Sequence, residues 1–203
     1  MKLITAFALA LLAGSALQAG DHNGFGFQAT VSKPSGDFNG KDWLDGKYGY
    51  GAGIHGLLDL GGGFAIVPRF DYNVYKHDQT ITGTLGLVSE EAKIQVLSGG
   101  ADVNLYLSGE ASKGIYILGG AGYARAKFER TYTPDAIPGS VAETKGGLYL
   151  QAGVGVNFTP NIGLEFRYQE LKFKDVETTV LGVTSSKEDI SCPTIQASLV
   201  LRF

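Results

Sequence analysis

A single cysteine, Cys192, in 203 residues excludes an intrachain disulfide, so the fold is held by other means. The three histidines, His22, His55 and His77, stand far from one another and from that cysteine, which leaves no Cys/His cluster at metal-ligand spacing. Charge is sparse as well. Asp, Glu, Lys and Arg make up 18% of the chain and leave a net charge of −3, and no Lys/Arg cluster forms an electrostatic footprint for nucleic acid. Beyond residue 19 no stretch reaches the roughly eighteen consecutive apolar residues of a transmembrane helix. Yet 44% of the residues are hydrophobic, too many for a disordered chain. The length fits one domain with a sizeable core. What is plentiful is glycine, thirty residues of it, together with eleven Phe and ten Tyr, a composition that favours β structure with small residues at tight places.

Residues 1–19 have the anatomy of a secretory signal peptide, leaving 20–203 as the mature domain. Met1-Lys2 give a short basic start, residues 3–13 an apolar stretch broken only by Thr5, and residues 14–19 a small-residue exit. A cut after Ala19 places Leu17 third before it, and a cut after Ala16 is the alternative. The apolar stretch is short for a permanent helical anchor. An exported chain of this kind is periplasmic, secreted or a barrel in the outer membrane, and its strand pattern must decide.

Period-two alternation recurs in eight segments of about the ten residues that a tilted membrane strand needs. Phe25, Phe27, Ala29 and Val31 oppose Gln28, Thr30 and Ser32; Tyr48, Tyr50, Ala52, Ile54 and Leu58 oppose His55, Asp59 and several glycines. Phe64, Ile66, Phe70, Tyr72 and Val74 oppose Arg69, Asp71 and Asn73, and Leu97 through Leu107 alternate with Ser98, Asp102, Asn104 and Tyr106. The fifth segment is ambiguous at residues 115–118, all apolar, and its upper half sets Arg125, Lys127 and Glu129 against Ala124, Ala126 and Phe128. Leu148, Leu150, Ala152, Val154, Val156 and Phe158 oppose Tyr149, Gln151 and Asn157; Ile162, Leu164, Phe166 and Tyr168 oppose Glu165 and Arg167; Ile195, Ala197, Leu199, Leu201 and Phe203 oppose Gln196, Ser198 and Arg202.

Short turns at residues 60–63, 108–113 and 159–161 alternate with longer polar connections at 34–46, 76–92, 132–143 and 175–186. This is the asymmetry of an outer-membrane barrel, with short periplasmic turns and long external loops. The reading is therefore all-β: a closed antiparallel up-and-down transmembrane β-barrel of about eight strands in the cell outer membrane, with both ends periplasmic. Tyr48, Tyr50, Tyr72, Tyr75, Tyr132, Tyr168 and Phe173 fall near the external strand ends, and Phe25, Phe64, Tyr106, Tyr116, Phe158 and Phe203 near the periplasmic ends, as two interfacial aromatic girdles. Pro68 and Pro193 remove ladder donors from the third and eighth strands, and Pro68 predicts a bulge or register break.

The chain ends Gln196-Ala197-Ser198-Leu199-Val200-Leu201-Arg202-Phe203, which resembles the assembly signal of bacterial outer-membrane barrels in its terminal aromatic and its alternating Leu199 and Leu201. With Gly119-Gly120-Ala121-Gly122-Tyr123 and Leu164-Glu165-Phe166-Arg167-Tyr168, the mature chain is similar to the small outer-membrane protein β-barrel family, which includes opacity-type surface antigens and OmpX- or OmpA-type barrels. The resemblance implies a non-enzymatic surface role. It also implies outer-membrane lipid and lipopolysaccharide, the barrel-assembly machinery and an extracellular ligand met through the loops as partners.

The alternation turns Arg69, Asp71, Asp102, Arg125, Glu165 and Arg167 inward as a lumen polar network, with Asp59, Lys127 and Glu129 on the same side. A narrow barrel tolerates such charges when they are paired or hydrated. An ion-pair plug is one reading and a narrow water or ion path, favoured by inward glycines, the other. No serine stands in a recognisable motif with His77-Asp78, so no catalytic site, metal site or cofactor is expected. A small-solute channel and a soluble lipocalin-like periplasmic barrel remain the alternatives.

Overall fold

The computed structural model describes residues 24–35, 47–83, 86–111, 113–133, 141–180 and 183–203, and within these the side chains outside 79–90, 130–143 and 174–190. Eight strands form one antiparallel sheet: β1 (Gly24–Pro34), β2 (Gly49–Gly61), β3 (Phe64–Gly83), β4 (Gly86–Tyr106), β5 (Gly114–Thr133), β6 (Val141–Asn157), β7 (Ile162–Val180) and β8 (Val183–Arg202). Each strand pairs with its chain neighbours, and β1 pairs with β8 to close the barrel. Closure leaves no open sheet edge around the lipid-facing girth, which hydrocarbon demands because it offers no partner for a free N–H or C=O. The seam runs from Pro34↔Thr194 to Gly26↔Arg202, and the Phe203 N–H donates to the Phe25 carbonyl at 2.9 Å. The start of β1 and the end of β8 therefore lie at one rim.

The turns at that rim are short. Between β2 and β3, Gly61, Gly62 and Gly63 all have positive φ, a run that only glycine adopts without strain, and Asp59 Oδ1 accepts the Gly61 N–H at 2.8 Å. Pro68 does not shift the register. Pairing of β2 with β3 lapses between His55↔Arg69 and Leu58↔Ile66 and resumes in phase, while Pro68 keeps its partner Ala101 on β4. A Cβ on Gly56 would lie 3.3 Å from Pro68 Cγ, so the missing side chain there makes room for the ring. The shift that does occur lies lower, between Asp59 and Gly61.

At the opposite rim two of the connections expected as loops are largely strand. β3 and β4 stay paired up to Gly83↔Gly86, and β7 and β8, with two irregularities, up to Val180↔Val183. Residues 76–83, 86–92, 132–133, 141–143, 175–180 and 183–186 prolong the strands, whereas 36–46, 134–140 and residues 1–19, expected to be a signal peptide, lie outside the described residues. The cause is an inversion of facing. Through the lower barrel Phe70, Tyr72, Leu97, Leu150, Val154 and Ile195 are exposed while polar side chains are buried. Above Leu97 the outward positions are Gln95, Lys93 and Glu91, and the inward ones are Val96, Ile94 and Ala92. An outward charge is stable in water and costly in hydrocarbon, so the change marks where the lipid band ends.

The same inversion removes Arg125, Lys127 and Glu129 from the lumen. They point outward, because Ala124, Ala126 and Phe128 fill the interior at that height. Tyr75, Phe173, Tyr106 and Tyr116 are buried inside the barrel rather than standing in the girdles, since strand parity turns them from lipid. Tyr48, Tyr50, Tyr72 and Tyr168 at one rim, and Phe25, Phe64, Phe158 and Phe203 at the other, are exposed.

Candidate functional site

The interior is stacked in three layers. At the rim where β1 starts and β8 ends, Leu57, Ala65, Val67, Tyr106, Tyr116 and Leu118 form an apolar floor, into which Ala111 of the β4–β5 turn is drawn. The Tyr106 and Tyr116 rings meet at 4.8 Å between centroids. The ambiguous lower half of the fifth segment is thereby resolved: Tyr116 and Leu118 face in, Ile115 and Ile117 out.

Above the floor lies an ion-pair layer. Arg69, on β3, reaches Asp102 on β4 through Nε at 2.6 Å and Glu165 on β7 through Nη1 at 2.9 Å. Arg167, two residues above Glu165, places Nε 3.0 Å from Glu165 Oε1 and Nη1 3.4 Å from Asp71 Oδ2. Five of the six residues expected in the lumen network are thus brought together, and Arg125 is not. The network also includes residues that the charge pattern alone does not single out. Gln28 donates to Asp71 and accepts from Arg69 Nη1 at 3.1 Å, Gln151 donates to Asp102, and the Tyr116 hydroxyl donates to Glu165 Oε2 at 3.0 Å. Arg202, on the inward face of β8, donates to Asn157 Oδ1 at 2.6 Å and to the Tyr116 hydroxyl at 3.4 Å. Period-two parity had placed Gln28, Gln151 and Arg202 on the polar face; it says nothing of their partners. Three guanidinium groups and three carboxylates make the set neutral, and neutrality lets a buried network persist.

The inward glycines do not open a path. A Cβ on Gly120 would meet Asp102, on Gly53 Asp71, on Gly153 Arg167, on Gly155 Tyr116, and on Gly100 or Gly122 Tyr149. Each glycine leaves a recess that a neighbour's large side chain fills. His77 and Asp78 fall on opposite faces of β3, the histidine buried and the aspartate exposed, so the pair forms no acid–base couple.

The third layer, at the rim opposite the floor, is apolar again: Tyr75, Ile94, Val96, Ala124, Ala126, Phe128, Tyr149, Leu171, Phe173 and Cys192 form one buried cluster. Outside it the strands carry Lys76, Lys93, Lys127 and Lys172. In this part the barrel has the facing of a water-soluble one. Tyr72 donates to Gln95 Oε1 at 2.8 Å, Gln95 Nε2 to Glu129 at 2.8 Å, and Lys127 pairs with Glu129 at 2.5 Å, a polar chain along the outer face.

Known proteins share this architecture. Among solved structures, the attachment invasion locus protein Ail of Yersinia pestis, in complex with a heparin analogue, is 15% identical with a TM-score of 0.54, covering 89% of this chain and 97% of that one. Neisserial surface protein A is 16% identical with a TM-score of 0.54, covering 90% and 98%. The N-terminal β-barrel domain of Pseudomonas aeruginosa OprF is 12% identical with a TM-score of 0.51, covering 88% and 97%. At such identities the likeness is one of fold. No curated protein matches the sequence. A family model described as the outer membrane protein beta-barrel domain matches residues 4–203, nearly the whole chain. With its closed eight-stranded barrel, lipid-facing band and alternating turns, the chain belongs to the outer membrane protein beta-barrel family.

Proposed function

We propose that this protein is a non-enzymatic barrel of the cell outer membrane that presents its external strand extensions to the surroundings, and that it is not a solute pore. The observation that carries this reading is the filled interior. An apolar floor, a neutral ion-pair layer and an apolar upper cluster succeed one another, and a hydrated ion would have to break all three. The soluble lipocalin-like alternative fails on facing, since the mid-barrel exterior is apolar and the interior charged. The outward cations Lys76, Lys93, Arg125 and Lys127 stand just above the lipid-facing band. There they suit the phosphates of lipopolysaccharide, while Leu199, Leu201 and Phe203 suit a signal for the barrel-assembly machinery.

Two measurements test this reading. In planar bilayers the refolded protein is expected to show no stepwise conductance; regular steps would restore the channel. In intact cells a membrane-impermeant amine reagent is expected to label Lys93 and Lys127 but not Lys113, in the turn at the opposite rim. Labelling of Lys113 alone would place the extensions in the periplasm and end the surface reading.

A further inference from the structure

On the outer face, at the upper limit of the lipid-facing band, β5 carries a cation without a counterpart. Arg125 is exposed, and its two cross-strand neighbours are Leu97 on β4 and Gly146 on β6, neither of them charged. Lys127, one outward position higher, and Lys93 on β4 share the Glu129 carboxylate at 2.5 and 3.8 Å, whereas Arg125 has no ion-pair partner among the described residues. Tyr123, one outward position lower, is 53% exposed and reaches beyond its own rung: a Cβ on Gly146 would collide with its hydroxyl. The missing side chain at Gly146 therefore lets that hydroxyl stand beside the stem of Arg125, since directly opposed residues set their side chains about 5 Å apart.

Successive outward positions on a strand are about 7 Å apart, so the Arg and Lys side chains can reach one point together with the Tyr123 hydroxyl. All three groups donate hydrogen bonds and two carry positive charge, a set suited to a phosphate; a planar guanidinium grips two phosphate oxygens at once. The surroundings indicate the direction from which the phosphate comes. Below the three donors Leu97 and Leu148 are exposed to lipid, and higher on the outer face the sign reverses, where Asp78 stands opposite Glu91. An anion approaching from the medium meets those carboxylates first. The phosphate of a lipid whose chains lie along Leu97 and Leu148 arrives at Arg125 from below.

We infer that Tyr123, Arg125 and Lys127 form a discrete site for one phosphate of a lipopolysaccharide molecule in the outer leaflet. Arg125 holds the phosphate through paired N–H donors, Lys127 adds charge, the Tyr123 hydroxyl donates to it, and the acyl chains pack along Leu97 and Leu148. The inference rests on the surface reading above, with this rim in the lipopolysaccharide leaflet. Micelles have no sidedness, so binding measured in them is independent of the labelling of Lys93 and Lys127 in cells, and either reading can fail alone.

The purified full barrel in detergent micelles, isotope-labelled at tyrosine Cζ, is titrated with the lipid A part of lipopolysaccharide, with dephosphorylated lipid A and with inorganic phosphate. Lipid A is expected to shift the Tyr123 resonance saturably, and the other two to leave it in place. Affinities of the variants are read by native mass spectrometry from the fraction of barrel that carries lipid A. Arg125→Gln is expected to weaken binding about tenfold, and Arg125→Lys and Tyr123→Phe about threefold each. Lys172→Gln, which removes an outer-face cation of β7 that pairs with Glu170, is expected to change nothing. Equal losses in Lys172→Gln and Arg125→Gln would reduce the site to diffuse attraction and overturn it. An equal shift by dephosphorylated lipid A, which would leave only the apolar strip, or by inorganic phosphate, which would make the ligand a soluble anion, also overturns it.

Discussion

Glu165 is the residue on which the lumen network depends most, because Arg69, Arg167 and Tyr116 all converge on its carboxylate at 2.9 to 3.0 Å. Its loss takes a carboxylate from two buried guanidinium groups at once, leaving Arg69 with Asp102 and Arg167 with Asp71 alone. Breaking a buried pair by removing one partner costs roughly 3 to 5 kcal/mol, more than the pair contributes over an apolar substitute. Glu165→Leu is therefore expected to lower the stability of the barrel refolded in micelles by about that amount. Glu165→Gln, which keeps an acceptor for Arg69 and Arg167, should fall between it and the wild type. Denaturant midpoints of the three proteins check this, and a Glu165→Leu midpoint equal to the wild type would mean that the packed side chains, not the charges, hold the layer. Five network members were legible in the sequence because each sits on a strand whose other face is plainly apolar. Arg125 was misassigned for a physical reason: next to Ala124 and Ala126 the rule of polar side inward no longer holds, since that stretch lies outside the lipid band. Tyr116 could not be placed, because residues 115–118 are apolar on both faces.

At the scale of the strand, the facing inversion accounts for both what alternation reveals and where it stops. Every lipid-facing segment was legible as a strand, since period two with a greasy outward face is strong in β6 and β7. Where side chains are described, at residues 76–78 of β3 and 91–96 of β4, the prolongations keep the period but exchange the faces, and their charged residues read as loop. Ile94 and Gln95 test the difference, being neighbours on β4 that face opposite ways. Ile94 is 2% exposed within the external cluster. Ile94→Asp places an unpaired charge there, whereas Gln95→Asp gives up the bond to Glu129 on the outer face, where water solvates the new carboxylate. The expected outcome is that Ile94→Asp makes the external strands at least about tenfold more sensitive to protease in intact cells, as local opening would. The lower barrel should still resist denaturation in detergent until boiled, and Gln95→Asp should behave as the wild type. Equal sensitivity of the two variants would show that the extension has no core of its own.

For the whole molecule the decisive event is closure, and β1 and β8 accomplish it from opposite ends of the chain, with contacts between residues almost as far apart as the sequence allows. Such long-range pairing is slow to form, and until it forms the edges of β1 and β8 are unpaired. Phe203 stands at the last rung of that seam. Its ring lies 5.9 Å from Phe25 and 6.1 Å from Phe27 on the neighbouring strand, and its backbone exchanges hydrogen bonds with Phe25. The closed topology was legible from strand count and turn parity, and closure puts the strand of Phe203 beside the one that begins near Phe25; the ring contacts were not legible, because alternation gives no distances. In the finished barrel Phe203 is 67% exposed, so its side chain contributes less than the roughly 1.5 to 3 kcal/mol of a fully buried one. A residue that adds little to the final state but lies where the last edges meet acts chiefly on the way to that state. Deleting Phe203 is therefore expected to reduce the amount of folded protein in the outer membrane far more than it lowers the denaturant midpoint of protein refolded in micelles. Parallel measurement of membrane level in cells and of that midpoint decides the matter. Proportionate losses would reduce Phe203 to an ordinary lipid-facing side chain, whereas a collapse in membrane level with a nearly unchanged midpoint assigns it to assembly, at the point where the two ends of the chain must find each other.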